Sequence, residues 1–294
     1  MRGLAGARVA LLETRLEREL GTLVRRHGGT PVCAPAVRES PVSSGPEVAV
    51  FIDQVIRGAY PVVVLQTGVG VRRLFQEAER LGRRADLVAA LKGLTLAVRG
   101  PKPSAALAQA GLRPTVTAPE PYTTTDLLAG LDAVPLETRG VGVVHYGERN
   151  PPLVGALLAR GARVHELQLY EWHLPDDLEP LRALVREIVR GDIAAVCFTT
   201  RVQLRHLLEV AAMTGLEADL LRALTARTVT VSVGPSCTAA LRAVGISPHV
   251  EPPRPKMGAM IAALAEYLAR WRDGGACSGR LEPAPQTPGA PDGE

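Results

Sequence analysis

Aromatic side chains are scarce in this chain of 294 residues, at 3% of the sequence. The core must therefore be built from Leu, Val and Ala, and an aromatic platform for single-stranded nucleic acid is disfavoured. Lysine is rarer still, at Lys92, Lys102 and Lys256, so the positive charge comes almost wholly from arginine, and the net charge is +4. The arginines are interspersed with acids and form no block of one sign. We predict no nucleic-acid partner, whereas a mild positive balance suits a small anionic ligand.

Long apolar runs and paired cysteines are also missing. No run approaches the roughly 18 residues of a membrane span, and the stretch Val9–Leu12 stops at Glu13, which is too short for a signal peptide. The cysteines form no CxxC pair and no zinc spacing, which is typical of a reducing compartment; they are Cys33, Cys197, Cys237 and Cys277. We predict a cytoplasmic protein without a membrane partner.

Motifs for metal, nucleotide and catalytic-triad chemistry are absent. The histidines show no metal-binding spacing, and His145, at the end of an apolar strand, is interpreted as a structural histidine. There is neither a P-loop nor a Gly-x-Ser-x-Gly motif. Gly68 and Gly70 follow a strand, but Arg73 stands where the third glycine of a dinucleotide fingerprint belongs. We expect no metal and no organic cofactor.

What the chain does contain is a sequence repeated at long range. Residues 100–114 return as residues 234–248 with 7 identities, an offset of 234 − 100 = 134. Two further pairs keep nearly this distance, namely Val64–Thr67 with Val196–Thr199 (199 − 67 = 132) and Val9–Leu12 with Gly142–His145 (142 − 9 = 133). A repeat of this length is a whole small domain, so we predict two similar lobes with a ligand cleft between them.

Each half alternates short apolar strands with helical periodicity. Apolar residues at helical spacing follow Val62–Leu65 and Ile193–Phe198, and Gly111 and Gly245 stand where helices would end. Strands that alternate with helices form a parallel sheet covered on both faces, so we predict an α/β fold of two doubly wound lobes. Residues 273–294, rich in Gly, Pro and Ser, are predicted to be a disordered tail.

Polar turns recur where strands are predicted to end and helices to begin. They comprise Thr67-Gly68, Gly100–Ser104, Gly147-Glu148, Thr199–Arg201 and Gly234–Thr238, with helices expected to start at Ser104 and Thr238. Ligands of open α/β sheets bind at this edge, and main-chain N–H groups at helix N-termini suit carboxylates. Each Ser or Thr taken singly is also a helix cap, which is the competing interpretation. Their recurrence in both halves favours an anion-binding cleft.

Three blocks of the sequence resemble the uroporphyrinogen-III synthase family. Val233–Gly245, echoed at Arg99–Gly111, follows the family's Val-Gly-Pro pattern with a later Ala-x-Leu and a closing Gly. Phe198–Leu208 is similar to its Phe-Thr-Ser run, and Tyr146–Tyr170 is similar to its Gly-Glu…Gly-Ala-x-Val…Tyr block. The blocks stand in the family's order, and the resemblance covers about residues 8–270.

The resemblance implies two flavodoxin-like α/β lobes joined by a two-stranded linker. The chain would start in one lobe, cross to complete the other, and return. Lobe one would then comprise residues 1–37 and 173–270, and lobe two residues 38–172. The crossings would fall near Ala36–Pro41 and Leu169–Pro175.

The resemblance also implies a reaction. Hydroxymethylbilane, a linear tetrapyrrole with eight carboxylates, loses its terminal hydroxyl, and the resulting azafulvene reacts at the substituted carbon of ring D. A spiro intermediate then rearranges, so that ring D is inverted as the macrocycle closes. Tyr170 matches the tyrosine expected to assist departure of the hydroxyl, and its alternative role is that of an ordinary aromatic on a linker strand.

Most of the residues expected to contact substrate lie in the polar turns and hold carboxylates through hydroxyl and main-chain N–H groups. The expected set is Thr14, Arg15, Thr67, Gly68, Val69, Gly100, Lys102, Pro103, Ser104, Gly147, Glu148, Thr199, Thr200, Arg201, Ser236, Cys237 and Thr238. The chain departs from the family pattern at Cys237, where threonine is usual, at Pro103, and at Gly68, where serine is usual.

Two other functions fit parts of the sequence. A non-catalytic tetrapyrrole- or anion-sensing domain of the same fold is the main alternative, although such a sensor normally carries a partner domain and residues 273–294 are too short to be one. A periplasmic-type two-lobed binding protein is disfavoured because no signal peptide is found. We therefore expect a monomeric enzyme that acts on a linear tetrapyrrole polycarboxylate.

Overall fold

The structure is a computed structural model that describes residues 3–14, 16–41 and 45–273. Its strands are β1 (Arg8–Leu11), β2 (Thr30–Cys33), β3 (Arg38–Pro41), β4 (Val62–Leu65), β5 (Thr95–Val98), β6 (Val116–Thr117), β7 (Gly140–Val144), β8 (Arg163–Leu167), β9 (Tyr170–His173), β10 (Ala195–Phe198) and β11 (Val229–Ser232). Its helices are α1 (Glu17–Arg26), α2 (Pro46–Ile56), α3 (Gly68–Arg80), α4 (Arg84–Leu91), α5 (Pro101–Ala108), α6 (Thr124–Gly130), α7 (Pro151–Ala159), α8 (Glu179–Arg190), α9 (Arg201–Met213), α10 (Glu217–Ala226), α11 (Pro235–Ala243) and α12 (Met257–Asp273).

The chain forms two compact units. Unit 1 comprises the residues up to Arg38 and from Leu174 onward, and unit 2 comprises Glu39–His173. The chain leaves unit 1 in β3 and comes back to it after β9, and these two strands pair with each other as a two-stranded sheet. The predicted α/β class, with parallel sheets and a two-stranded linker, is confirmed.

Unit 1 is built on a parallel sheet in the order β11-β10-β1-β2. If the four strands are numbered by their order along unit 1, the sheet reads 2-1-3-4 from β2 to β11. A parallel bridge from Val231 to Val250 adds a fifth position beside β11, and the resulting order 2-1-3-4-5 is that of flavodoxin-like folds. One face of the sheet packs against α8, α9, α10 and α11, and the other packs against α1 and α12. The sheet is therefore buried on both faces.

Unit 2 is built on a five-stranded parallel sheet in the order β6-β5-β4-β7-β8. Side chains of β4 alternate between the two faces: Val63 and Leu65 join the cluster with α2, α3, α4 and α5, whereas Val62 and Val64 join the cluster with α6 and α7. A strand buried on both faces needs an unbroken apolar sequence, which is why all of β4 is Val or Leu.

The helices bury one apolar stripe each, as α8 shows. Its buried residues Leu181, Leu184, Val185 and Ile188 recur at i, i+3, i+4 and i+7, so they form one face. The helix ends at Gly191, whose φ of 87° is left-handed and favours glycine.

The internal repeat corresponds to equivalent strands, but two of the predicted matches are shifted by one residue. Strands β5 and β11 match at 229 − 95 = 134, as expected. Strands β4 and β10 match at 195 − 62 = 133 rather than 132, and β1 and β7 match through their pairing registers at 141 − 9 = 132 rather than 133. The shift matters because moving a strand by one residue turns its side chains to the opposite face. Val63 and Val196 are the equivalent pair, each on its helix-rich face.

Two helices begin earlier than predicted. Helix α5 starts at Pro101 rather than Ser104, and α11 starts at Pro235 rather than Thr238. Proline suits this first helical position because its fixed φ is helical and its missing N–H has no intrahelical partner there. Residues 101–103 and 235–237, which were expected in the turns before these helices, therefore lie in the first turns of the helices.

No helix within the described part of the chain is long and apolar enough to cross a membrane. Helix α12 ends at Asp273, and the predicted tail beyond it lies outside the described residues.

Gly140→Ala tests the tight start of β7. A Cβ there would stand 2.1 Å from the main-chain oxygen of Ala59, so the backbone must shift. We expect a loss of about 2–3 kcal/mol in the free energy of unfolding, measured by urea denaturation. The control is Gly155→Ala in the exposed middle of α7, where the Cβ meets nothing within 4 Å. It should gain about 0.5–1 kcal/mol through helix propensity. Equal effects of the two changes would contradict this account.

Candidate functional site

The carboxyl ends of parallel strands form the edge where α/β sheets bind ligands. In unit 2, β4 is followed by Gln66 and Thr67, β5 by Arg99 and Gly100, and β7 by His145. The helices α3, α5 and α7 begin within a few residues of these ends. Hydroxyl, cationic and main-chain N–H groups therefore gather at one edge of this sheet.

Thr67 and Tyr170 are joined at this edge. Thr67 is the N-cap of α3, and its Oγ1 accepts a hydrogen bond from the N–H of Gly70 at 3.0 Å. The same oxygen lies 3.0 Å from Oη of Tyr170 in β9. Tyr170 is 2% exposed and Thr67 is half-buried, so Thr67 is the more accessible member of the pair. The guanidinium of Arg73 lies 5.8 Å from the centre of the tyrosine ring.

The first turns of α3 and α5 lie side by side. A Cβ on Gly68 would stand 2.7 Å from the main-chain oxygen of Lys102 and 3.3 Å from a guanidinium nitrogen of Arg72. Glycine at position 68 is therefore required by the close approach of the two helices. Val69 is partly buried and packs against the core beneath. Two helix N-termini and an arginine thus share one small region.

Prolines limit the main-chain donors in the first turn of α5. Pro101 and Pro103 have no amide hydrogen, and the N–H of Ser104 bonds back to the carbonyl oxygen of Gly100 at 3.4 Å. The Ser104 hydroxyl also donates to the Gly100 oxygen, at 2.9 Å. Pro103 is buried. Lys102, which is exposed, is therefore the first-turn residue that offers both a main-chain N–H and a charged side chain.

Aromatic rings pack against the turn that follows β7. A Cβ on Gly147 would stand 2.3 Å from Cδ2 of Trp172, and the main-chain N–H of Trp172 donates to the Gly147 oxygen at 3.1 Å. The ring of Tyr146 lies 5.6 Å from Trp172, and the guanidinium of Arg99 lies 4.7 Å from the Tyr146 centroid. The half-buried Glu148 donates its N–H to the Tyr146 oxygen. The turn is therefore held against β9.

Five side chains form a polar row, defined here as Thr124, Asn150, Gln66, His145 and Glu166. The three in the middle are buried, whereas Thr124 is half-buried and Glu166 is exposed. Asn150 Nδ2 donates to Gln66 Oε1 at 2.9 Å and to Thr124 Oγ1 at 3.0 Å. Gln66 Nε2 lies 3.2 Å from His145 Nδ1, and His145 Nε2 lies 2.7 Å from a Glu166 oxygen. Burial lowers the pKa of His145, and Glu166 opposes that shift.

The equivalent edge of unit 1 satisfies its own donors. The Thr199 hydroxyl donates to Glu13 Oε1 at 2.5 Å. The N–H groups of Thr199 and Thr200 lie 2.8 and 3.3 Å from Oε1 of Gln203, which is 2% exposed. Gly70 occupies the position of Gln203 in unit 2 and has no side chain (203 − 70 = 133). The start of α9 is therefore capped by Gln203, whereas the equivalent position of α3 carries no side chain.

In the first turn of α11, two of the three side chains expected to bind substrate are engaged by other groups of the protein. The Cys237 thiol is buried, contacts the carbonyl oxygen of Phe198 at 3.5 Å and has its pKa raised to about 11 by that burial. The Thr238 hydroxyl donates to a Glu251 oxygen at 2.6 Å. Ser236 is exposed. Among the three residues expected to bind substrate here, Ser236 is the one whose side chain faces solvent.

The remaining expected contacts of unit 1 lie near the ends of β1 and β10. The Thr14 hydroxyl donates to the Val37 oxygen at 2.6 Å, and Arg201 is exposed at the first position of α9. Arg15 lies outside the described residues.

The sequence interpretation missed the amide members of these networks. Gln203 carries a local signal, since Thr-x-x-Gln before an apolar run is a capping box. Asn150 before two prolines is likewise a readable N-cap. Gln66 has no local signal because its partners lie 79 and 84 residues away. Within the described residues, no group of three or more His, Cys, Asp or Glu side chains is placed to hold a metal ion.

Comparison with known families decides the affiliation. The sequence model described as uroporphyrinogen-III synthase HemD matches residues 18–262, which is 262 − 18 + 1 = 245 of the 294 residues. The chain belongs to the uroporphyrinogen-III synthase family. The match includes strand ends of both units, so the family resemblance is confirmed over most of the chain.

Individual relatives match over most of this chain. A Bacillus subtilis (strain 168) protein, named uncharacterized protein YjjA, is 31% identical over 269 residues, which cover 90% of this chain and 97% of that protein. A crystal structure of a mutant uroporphyrinogen III synthase from the extremely thermophilic bacterium Thermus thermophilus matches with a TM-score of 0.74 at 28% identity, covering 90% and 100% of the two chains. The wild-type enzyme in another crystal form matches with a TM-score of 0.57 at 29% identity, covering 90% and 99%.

Gln203→Ala tests the internal cap of α9. Loss of the amide leaves the N–H groups of Thr199 and Thr200 without their acceptor, so we expect about 1–2 kcal/mol less stability in urea denaturation. The matched control is Gln76→Ala on the exposed face of α3, which should stay within about 0.5 kcal/mol of the unchanged protein. A Gln203 variant as stable as the control would show that the cap contributes nothing.

Proposed function

We propose that this protein is a uroporphyrinogen-III synthase, a lyase that closes hydroxymethylbilane to uroporphyrinogen III with inversion of ring D and loss of water. The observation that carries the proposal is the family match over residues 18–262, which includes the strand ends of both units. The fold shared with the Thermus thermophilus enzyme supports it. The substrate is a flexible polycarboxylate, and both sheet edges present groups suited to carboxylates.

In unit 2 we assign substrate carboxylates to the first turns of α3 and α5. The N–H groups of Gly68 and Val69 come before the first intrahelical hydrogen bond, which Val71 N–H donates to the Thr67 oxygen, so they have no acceptor within the helix. The positive end of the helix dipole favours an anion there. Lys102 and Arg72 add positive charge at the same place. An arginine and two helix ends together suit more than one carboxylate.

In unit 1 we assign substrate contacts to the exposed side chains of Arg201 and Ser236. The hydroxyls of Thr199 and Thr238 already donate to carboxylates of the chain itself. A carboxylate therefore fits each position, but these internal bonds leave fewer donors for the substrate. Unit 2 is proposed to take the larger share of the substrate's acids.

Tyr170 is proposed to act through Thr67. The phenol hydroxyl can donate to Thr67 Oγ1. The Thr67 hydroxyl then offers its own proton to the departing hydroxyl group, which leaves as water. The pyrrole proton released during ring closure restores the pair. One shared proton is sufficient for this sequence of steps.

The larger part of the rate enhancement is proposed to come from orientation. The same substrate closes without enzyme to the uninverted isomer, so the protein must bend the chain until the substituted carbon of ring D meets the azafulvene. Holding two reacting ends together is worth many orders of magnitude in effective concentration. The reaction as proposed uses no metal and no organic cofactor.

We also propose a cytoplasmic location, since Cys33, Cys197 and Cys237 are unpaired.

The purified protein is expected to convert enzymatically generated hydroxymethylbilane mainly into the type III isomer. The product is oxidised and the isomers are separated by chromatography. The control is the same mixture without protein, which should give type I. Type I alone, formed at the uncatalysed rate, would exclude the enzymatic function and favour a sensing domain of the same fold.

Tyr170→Phe is expected to lower kcat by more than about tenfold, which is near 1.4 kcal/mol of barrier. The change removes the hydroxyl that meets Thr67 and keeps the buried ring. Tyr60→Phe is the matched control, because Tyr60 is an equally buried ring that packs on Phe51 and His165 before β4 begins. Steady-state rates of type III formation are compared with circular dichroism spectra. Equal rates in both variants would reduce Tyr170 to a structural role.

A further inference from the structure

We propose that His145 is a positioning residue which, as the neutral tautomer protonated on Nε2, fixes Gln66 and thereby the Thr67–Tyr170 pair. The proposal concerns the polar row of unit 2. Its activity readout rests on the proposed function, but its spectroscopic readout does not.

The direction of each hydrogen bond in the row follows from its neighbours. The N–H of Leu153 donates to Asn150 Oδ1 at 3.4 Å, so Asn150 Nδ2 is the group that meets Gln66 Oε1 at 2.9 Å. Gln66 must then present its NH₂ to His145 Nδ1 at 3.2 Å. Nδ1 is consequently the acceptor, and the ring proton lies on Nε2, 2.7 Å from the Glu166 carboxylate.

A second proton on the His145 ring would disrupt this arrangement of hydrogen bonds. Protonated Nδ1 is a donor, and it would face the NH₂ donors of Gln66 with no acceptor between them. Gln66 cannot turn its amide over, because its oxygen is needed by Asn150. The row therefore supports one charge state of His145, and protonation pushes Gln66 away.

The charged neighbours of the ring come from two elements. Glu166 reaches it from β8, and Arg149, in the turn after β7, pairs with the other Glu166 oxygen at 3.1 Å. The residue after β4 and the N-cap of α7 present the neutral amides of Gln66 and Asn150. Burial is the largest influence and lowers the pKa of His145 below 6.5, while Glu166 raises it and Arg149 lowers it. The unfolded chain thus binds this proton first, so the ordered row is present above pH 6.5 and is lost as pH falls.

The row is coupled to the site through the backbone. Gln66 immediately precedes Thr67, whose oxygen meets both Gly70 N–H and Tyr170 Oη. On the other side, His145 is two residues before Gly147, which packs directly on Trp172. A displacement of Gln66 or of the β7 end therefore moves groups on which the proposed reaction depends.

Two substitutions separate the two bonds of His145. In His145→Asn the side-chain oxygen lies where Nδ1 lies, so it still accepts from Gln66 and loses Glu166. In His145→Gln the amide reaches the Nε2 position, so it still donates to Glu166 and leaves Gln66 without its acceptor. We expect His145→Gln to lower kcat about tenfold or more, and His145→Asn to stay within about threefold, measured at about pH 8.

The pH profile distinguishes positioning from simple packing. The unchanged protein should lose kcat on the acid side of pH 6.5, whereas His145→Asn, which cannot titrate, should keep a flat profile over the same range. His165→Asn is the control, because His165 lies on β8, packs on Tyr60 and has no bond to the row. It should retain the profile of the unchanged protein.

Trp172 provides a readout without substrate. The chain has two tryptophans, so Trp271→Phe leaves Trp172 as the single tryptophan reporter beside Gly147. In this background the emission of Trp172 should shift as pH falls below 6.5, and His145→Asn should abolish that shift. If the protein forms no type III isomer yet the emission titrates this way, the positioning role stands and the proposed function fails.

Two results would overturn the proposal. One is a His145→Gln variant as active as His145→Asn; an equal loss in both variants with equal melting temperatures would indicate packing alone. The other is a fall in kcat or a shift in emission below pH 6.5 that persists in His145→Asn.

Discussion

The hydrogen bond between Thr67 Oγ1 and Tyr170 Oη is the interaction on which the rest of the unit 2 site depends. It ties the N-terminus of α3 to β9, so the buried phenol and the helix end occupy fixed places. The neighbouring Gly68 lets α5 approach, and this brings Lys102 to the same region. Without the Thr67–Tyr170 bond, the first turn of α3 and strand β9 would not be held at a fixed distance from each other.

The two units share a sheet order but differ in how they cap their helices. The amide of Gln203 accepts from N–H groups at the start of α9, whereas Gly70 at the equivalent position of α3 has no side chain and its own N–H donates to Thr67. Glu13 and Glu251 engage hydroxyls in unit 1, and no carboxylate meets Thr67 among the described contacts. The two units therefore share a fold, but a few side chains at equivalent positions make the ligand-binding edges of their sheets different.

Periodicity predicted the α/β class, because each strand and helix leaves its pattern within a short stretch of sequence. The repeat predicted the equivalent strands, because similar stretches recur in the same order. The exact register was out of reach, since Val64 and Val63 are equally apolar and only their faces distinguish them. Cys237 and Pro103 were expected at a ligand, and both are buried in the first turns of helices that begin at proline. The bond from Gln66 to His145 spans 79 residues and leaves no trace in either segment.

The central claim is that Thr67 and Tyr170 act as one unit, and a double-mutant cycle measures this directly. Thr67→Val, Tyr170→Phe and the double variant are compared in kcat/KM for type III formation. The account predicts a coupling of about 1–2 kcal/mol, with the double variant scarcely worse than either single one. Additive losses, with a coupling near zero, would contradict it.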